Sequence, residues 1–273
     1  MLQALLSLFR RPPAAAGAAQ GDVPPVLIGA TGGSGTRAVH GLLSDTGLFM
    51  GVRLNGAGDA MDFEPFLDRR INDILRDRHG LDYRPEDLAP DLHADALAEL
   101  RAAAATYRSE YTGGRWGWKN PRSMYVLPLI HALYPRLWFI HLIRDGRDMA
   151  FSGNQNQPRK HYAALFGRPL AADTDPVAAI ELWDTANRGA AAFGERVLGE
   201  RYIRIRFEDL CAAPLPVVED LLRRLDLPLE AAAAAAARVA TPDSVGRWRQ
   251  EEPALAARVT EAGRAGLEAF GYL

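Results

Sequence analysis

Cysteine is almost missing from this chain: Cys211 stands alone among 273 residues. A single cysteine excludes internal disulfides and cysteine-rich metal sites. It fits a reducing compartment, so a cytoplasmic location is expected. An excess of one charge is also missing. The 32 Lys and Arg against 34 Asp and Glu leave a net charge of −2, and no global field would gather a nucleic acid. Basic residues therefore matter only where the fold focuses them in a cleft. The apolar opening MLQALLSLF is too short to span a bilayer. Its arginines, Arg10 and Arg11, follow the apolar stretch, whereas a secretory signal places its positive charges first. Residues 12–22 (PPAAAGAAQGD) read as a flexible linker. The expectation is a tail over 1–22, with contact to a membrane or partner as its alternative, then one domain over 23–273. No internal repeat is found, and the alanine run at 231–237 is read as a packing helix without chemistry.

What is present is a soluble-type composition, 48% hydrophobic and 24% charged. A chain of this length buries about three quarters of its unfolded surface without staples. Near its start, VLIGATGGSGT at 26–36 places an apolar run before a glycine-rich loop, and a helical pattern opens at Thr36. A strand, glycine loop and helix in this order make an anion site, because loop amides converge where the helix dipole is positive. Further strands are expected at Trp116–Lys119, Leu137–Ile143 and Tyr202–Phe207. Helical patterns fill 36–46, 63–78, 91–110, 123–134, 146–155, 176–198, 214–226, 229–240 and 253–269. Alternating strands and helices predict an α/β fold, a single domain whose central parallel sheet is flanked by helices. Ligands of such sheets bind beyond the carboxyl ends of the strands. Gly29, Lys119, Arg144 and Phe207 all fall at or near those ends.

A P-loop nucleotide triphosphatase needs G-x-x-x-x-G-K-[ST]. Five residues before Gly35 stands Ala30, and Thr36-Arg37 follow it, so the phosphate-reaching lysine is missing. The strand over 137–143 ends in Arg144 rather than in a magnesium-binding acid. Arg144 leaves its strand into a turn and a helix expected to carry Ser152. That corner offers a guanidinium and a hydroxyl to a second phosphate. Pairing of Arg144 with Asp145 or Asp148 is the structural alternative.

Taken together, TGGSGTR at 31–37, RDGRDMAFS at 144–152, WGWKNPR at 116–122, YIRIRFEDL at 202–210 and SVGRW at 244–248 resemble the sulfotransferases that use 3′-phosphoadenosine 5′-phosphosulfate. The resemblance runs from about Val26 to Trp248. It implies that Gly32, Gly33, Ser34, Gly35, Thr36 and Arg37 hold the 5′-phosphosulfate, and that Arg144 and Ser152 hold the 3′-phosphate. Arg247 and Trp248 would close over the 3′-phosphate and adenine, and Lys119 would lie near the sulfuryl oxygens. The implied co-substrate is 3′-phosphoadenosine 5′-phosphosulfate with no metal, because cations and amides can neutralise the leaving phosphate.

One departure stands out. The family usually has Lys or Arg just before SGT, where this chain has Gly33. Arg37 is the nearest cation and is expected to substitute by folding back over the loop. A general base must take the proton of the acceptor hydroxyl. Asp59, Asp62 and Glu64 are the candidates. Asp62 and Glu64 precede a helix and read as capping groups, which leaves Asp59. His40, one turn into the loop helix, reads as packed or solvated. Arg122 is assigned to the acceptor or the 3′-phosphate, and Arg147 to solvent or substrate. Residues 153–175 read as an irregular polar insert facing the acceptor, which makes a carbohydrate or glycoconjugate hydroxyl the expected target. The rivals are a small-molecule kinase of the P-loop class and a nucleotide-binding pseudoenzyme.

Overall fold

A computed structural model describes residues 23–273; the expected tail and its membrane alternative lie outside them. Four strands form one parallel sheet: β1 (Val26–Gly29), β2 (Gly117–Lys119), β3 (Trp138–Ile143) and β4 (Tyr202–Arg206), in the order β2-β1-β3-β4. Parallel strands need crossovers, so both faces are covered and the strands read as unbroken apolar runs. Every residue of β1 and β2 is buried. The register pairs Ile28 with Lys119 on one side and Ile140 on the other, which sets the glycine loop, Lys119 and Arg144 along one sheet edge. The chain passes from β1 to β2 on one side and then crosses back to β3 on the other, and such a switch point opens a crevice at the carboxyl ends.

Twelve α-helices surround the sheet among the described residues: α1 (Thr36–Asp45), α2 (Glu64–Arg78), α3 (Pro90–Tyr107), α4 (Leu127–Leu133), α5 (Gly146–Ala150), α6 (Asn156–Phe166), α7 (Pro176–Phe193), α8 (Phe207–Ala212), α9 (Pro214–Arg224), α10 (Ala232–Ala236), α11 (Pro253–Ala262) and α12 (Arg264–Ala269). One apolar cluster joins α2, α3, α7 and the β2 aromatics; a second joins α1, α9 and α10 over the other part of the sheet. Around β2 the ring of Phe63 stacks on Trp118 at 4.7 Å between centroids, and Tyr107 Oη donates to the Gly117 carbonyl at 2.5 Å. These contacts fix a three-residue strand that could not hold itself. No helix among the described residues is long and apolar enough to cross a membrane.

Several expected boundaries move. The helix expected over 146–155 ends at Ala150, so Ser152 sits in the turn after α5. The stretch expected to be irregular contains α6, which buries His161, Tyr162 and Leu165 and stops at Gly167 in the left-handed region (φ 66°). Asn, Gln and Pro open this helix and mask it in the sequence, although Pro is harmless in a first turn, where no backbone donor is needed. The helix expected over 253–269 breaks at Gly263. A Cβ there would lie 2.4 Å from Ile180 Cγ1, so only glycine lets these two segments close on α7.

Candidate active site

The loop between β1 and α1 is the first wall of the site. Gly33 and Gly35 have φ of 91° and 87°, a region costly for residues with a Cβ. Gly35 also carries Phe207 against it, and an added Cβ would sit 2.3 Å from that ring. The left-handed backbone explains the departure at Gly33: a Lys or Arg there would be strained and would press on Met149 Cε at 3.3 Å. α1 starts without a side-chain cap and without an acid in its first turn. Ala38 N is satisfied by the Gly35 carbonyl, but the Thr36 and Arg37 amides find no acceptor among the described residues. A missing cap costs a helix about 1 kcal/mol, and an anion at this terminus offsets it. Ser34 differs from expectation. Its hydroxyl is fully buried and donates to the Thr31 carbonyl at 2.7 Å, so it braces the loop.

The loop opens on a cleft of about 870 Å³ lined by Gly32, Gly33, Gly35, Thr36, Arg37, Asp59, Glu64, Lys119 and Arg122, among others. Lys119 is 1% exposed, and its ammonium donates to Asp59 Oδ1 at 2.5 Å and to the Ala57 carbonyl at 2.6 Å. A buried unpaired charge costs several kcal/mol, so Asp59 is what allows Lys119 to be a cation here. Burial pushes the Lys119 pKa down, Asp59 opposes that, and the nearby Arg37 charge lowers it further. Arg37 is exposed and has no ion pair or side-chain hydrogen bond among the described residues.

Asp59 is held on both oxygens, because Asn55 Nδ2 donates to Oδ2 at 2.8 Å. Asn55 Oδ1 also accepts from the Ala57 and Asp59 amides, closing the 55–59 turn. Asp62 pairs with Arg53 at 2.7 Å. Glu64 is not a capping group of the kind expected. From the first position of α2 its carboxylate accepts from Asn120 Nδ2 at 2.7 Å and from the Arg122 guanidinium. His40 lies beside Gly58, where an added Cβ would come within 3.1 Å of its ring, and burial, then Lys119, lowers its pKa.

The arginine corner is built differently. Arg144 is 6% exposed and its Nη2 donates to the Ser244 carbonyl at 2.6 Å and hydroxyl at 2.9 Å. Asp148 lies 3.6 Å from the same Nη2 and accepts from the Gly246 amide at 2.7 Å and the Trp248 amide at 3.2 Å. The segments 144–152 and 244–248, far apart in sequence, therefore meet. They meet through each other's polar groups, and Arg144, Ser152, Arg247 and Trp248 are not among the residues lining the cleft. The Ser152 hydroxyl accepts from the Asn154 amide at 3.2 Å. The Trp248 ring is covered by the Arg147 guanidinium at 3.9 Å. Arg147 itself is buried and bound to Asp145 and to the Tyr272 carbonyl, away from solvent. The Arg144 Nε is buried with no partner.

Phe207 connects the two walls: it touches Gly35 and lies 5.1 Å under the Arg144 guanidinium. Glu208 steadies the corner by accepting from the Asp145 amide at 3.0 Å. Sequence reasoning gave Phe207 only a strand end, and overlooked Asp68, which accepts from Arg122 Nη1 at 2.6 Å and Lys160 Nζ at 2.9 Å. Among the described residues no group of three His, Cys, Asp or Glu stands together as a metal site.

Comparison with known proteins gives the family and the fold. A family model described as the sulfotransferase family matches residues 24–231. No curated protein matches the chain. Solved structures do. Sulfotransferase STF1 from Mycobacterium tuberculosis H37Rv is 15% identical, with TM-score 0.54 over 88% of this chain and 76% of that one. The sulfotransferase domain of the Synechococcus PCC 7002 olefin synthase is 19% identical, with TM-score 0.55 over 92% and 95%. Sulfotransferase STF9 from Mycobacterium avium is 13% identical, with TM-score 0.52 over 92% and 78%. At these identities the likeness establishes the fold, a sheet-centred α/β domain.

Proposed function

The chain belongs to the sulfotransferase family, and from that premise we propose that it moves a sulfuryl group from 3′-phosphoadenosine 5′-phosphosulfate to a hydroxyl of a carbohydrate or glycoconjugate. The observation that carries this is the Lys119 ammonium. It is buried on the wall of the cleft, between an uncapped helix start and a carboxylate. The donor, when bound, supplies a sulfuryl group attached to a phosphate leaving group. The Thr36 and Arg37 amides, left without acceptors among the described residues, suit that phosphate. Arg37 brings the uncommitted cation that Gly33 cannot. Lys119 stabilises charge that develops during transfer, in a setting that needs little reorganisation.

Asp59 takes the acceptor proton. Both of its oxygens already accept a hydrogen bond, but an ionised carboxylate has about four acceptor positions, which leaves room for a hydroxyl. Arg144 and Ser152 hold the 3′-phosphate, with Arg247 and Trp248 closing over the nucleoside. In support, Arg144 has an unpartnered Nε and sits one ring away from the glycine loop, across Phe207. Its Ser244 partner is exchanged for phosphate on binding.

Titration calorimetry tests the donor half. Adenosine 3′,5′-bisphosphate should bind without magnesium and ATP much more weakly; magnesium-dependent ATP binding would favour the kinase. Labelled donor with a panel of hydroxylated acceptors tests the transfer, and binding without transfer to any of them would identify a pseudoenzyme.

A further inference from the structure

We propose that the acceptor half of the cleft selects hydroxylated ligands without negative charge, and that Asp68 sets this selectivity. The inference rests on the transferase reading above and asks which acceptors that site admits. Two cations line the acceptor wall, Arg122 after β2 and Lys160 on α6. Both are already paired with carboxylates. Arg122 is 7% exposed and its fork is divided, one nitrogen donating to Glu64 and Nη1 donating to Asp68 Oδ1 at 2.6 Å. Lys160 Nζ donates to that same oxygen at 2.9 Å. Two positive charges thus face two negative ones, and the wall cancels itself.

Asp68 stays ionised at neutral pH. Burial raises its pKa, but the hydrogen bonds from Lys160 and Arg122 outweigh that and hold it below the usual carboxylate range. Its side chain is about half exposed (52%). A carboxylate or sulfate on the acceptor would therefore meet Glu64 on the cleft wall with Asp68 behind it, and on this wall it would compete with those two carboxylates for Arg122 and Lys160. Like charges brought together in this way are strongly disfavoured. Hydroxyl groups face no such conflict, and Asn154 and Asn156 offer neutral amides along the same space. The contrast with the donor side is direct, because the uncommitted cation of the cleft, Arg37, stands by the glycine loop.

Calorimetry on the full chain, with and without adenosine 3′,5′-bisphosphate, would compare a neutral glucose disaccharide with the glucuronate disaccharide of the same linkage. The wild type should bind the neutral sugar at least about tenfold more tightly. Asp68→Asn releases Arg122 and Lys160 and should shift that ratio toward the uronate by about tenfold or more. Asp68→Glu should retain the wild-type ratio, and thermal melting confirms that each variant folds. Equal or tighter uronate binding by the wild type, binding of neither sugar, or a ratio unmoved in Asp68→Asn each overturns the proposal. Failure of the bisphosphate to bind overturns the donor reading instead, since the sugar titrations are also run without it.

Discussion

The junction of β1 with α1 and the junction of β3 with α5 are both strand, turn and helix, yet their polar groups are in opposite conditions. At the first, the Thr36 and Arg37 amides and the Arg37 guanidinium have no partner among the described residues. At the second, Arg144 holds Ser244, Asp148 holds the Gly246 and Trp248 amides, and Asp145 holds Arg147. The first is organised in advance for an anion and loses little on binding one. The second must exchange an internal partner for an external one, so part of its intrinsic affinity is spent on that exchange. An arginine motif that is legible in sequence can be structurally occupied in the folded chain.

Substitutions can break this contrast. The largest effect is expected at the wall shared with the acceptor. Lys119→Ala removes the proposed transition-state cation and the partner of Asp59, and should lower kcat/KM by about a thousandfold, near 4 kcal/mol. The check is steady-state kinetics with donor binding measured in parallel. Next comes Arg144→Ala, expected to weaken adenosine 3′,5′-bisphosphate about a hundredfold while leaving binding of adenosine 5′-phosphate nearly unchanged. Equal losses for both nucleotides would remove Arg144 from the 3′ end.

Arg37→Ala should cost about tenfold in kcat with donor affinity changed by less than about threefold. It carries a pH signature as well. In the proposed mechanism activity needs the Lys119 ammonium, so the rate should fall as pH rises through its pKa. Arg37 lowers that pKa and Asp59 raises it. The alkaline limb should therefore move up in Arg37→Ala, and a pH–rate profile reads that direction.

The mildest test compares the packing beneath each junction. His141 lies on β3 below Arg144. His161 packs on Tyr125, whose hydroxyl donates to Gln157 under the glycine loop at 3.1 Å. Burial lowers His141 to about 4, and burial, then Arg122 and Lys160, lowers His161 to about 3. The unfolded chain takes up both protons near the ordinary pKa of 6.5. Stability is therefore complete above that pH and declines as pH falls toward 4 and then 3, by about 1–2 kcal/mol per histidine at pH 5. Urea midpoints at pH 7 and 5 for the wild type, His141→Asn and His161→Asn would show which junction softens first.

The strands were legible because buried parallel strands are rich in β-branched and aromatic residues: β1 and β3 are largely apolar runs, and β4 alternates Tyr202, Ile203 and Ile205 with Arg204 and Arg206. The glycine loop and the Arg144 corner were legible because phosphate chemistry restricts residue types at short spacing. What escaped was side-chain commitment. Nothing near Asp68 in the sequence announces partners 54 and 92 residues away. Nothing in Ser34 tells that its hydroxyl turns inward to Thr31. α6 was hidden because its opening residues favour turns, while the buried His161, Tyr162 and Leu165 that hold it down come later.

β2 is three residues long, lies at the end of the sheet order and carries Lys119 at its last position. Its alignment with β1 depends on the stacked Phe63 and Trp118 rings and on the Tyr107 hydroxyl, none of which lines the cleft. A slip of a single residue would turn the lysine to the opposite face of the sheet. Warming that loosens this aromatic clasp would thus silence the enzyme while the central strands are still folded, making heat inactivation a local event at one margin of the molecule.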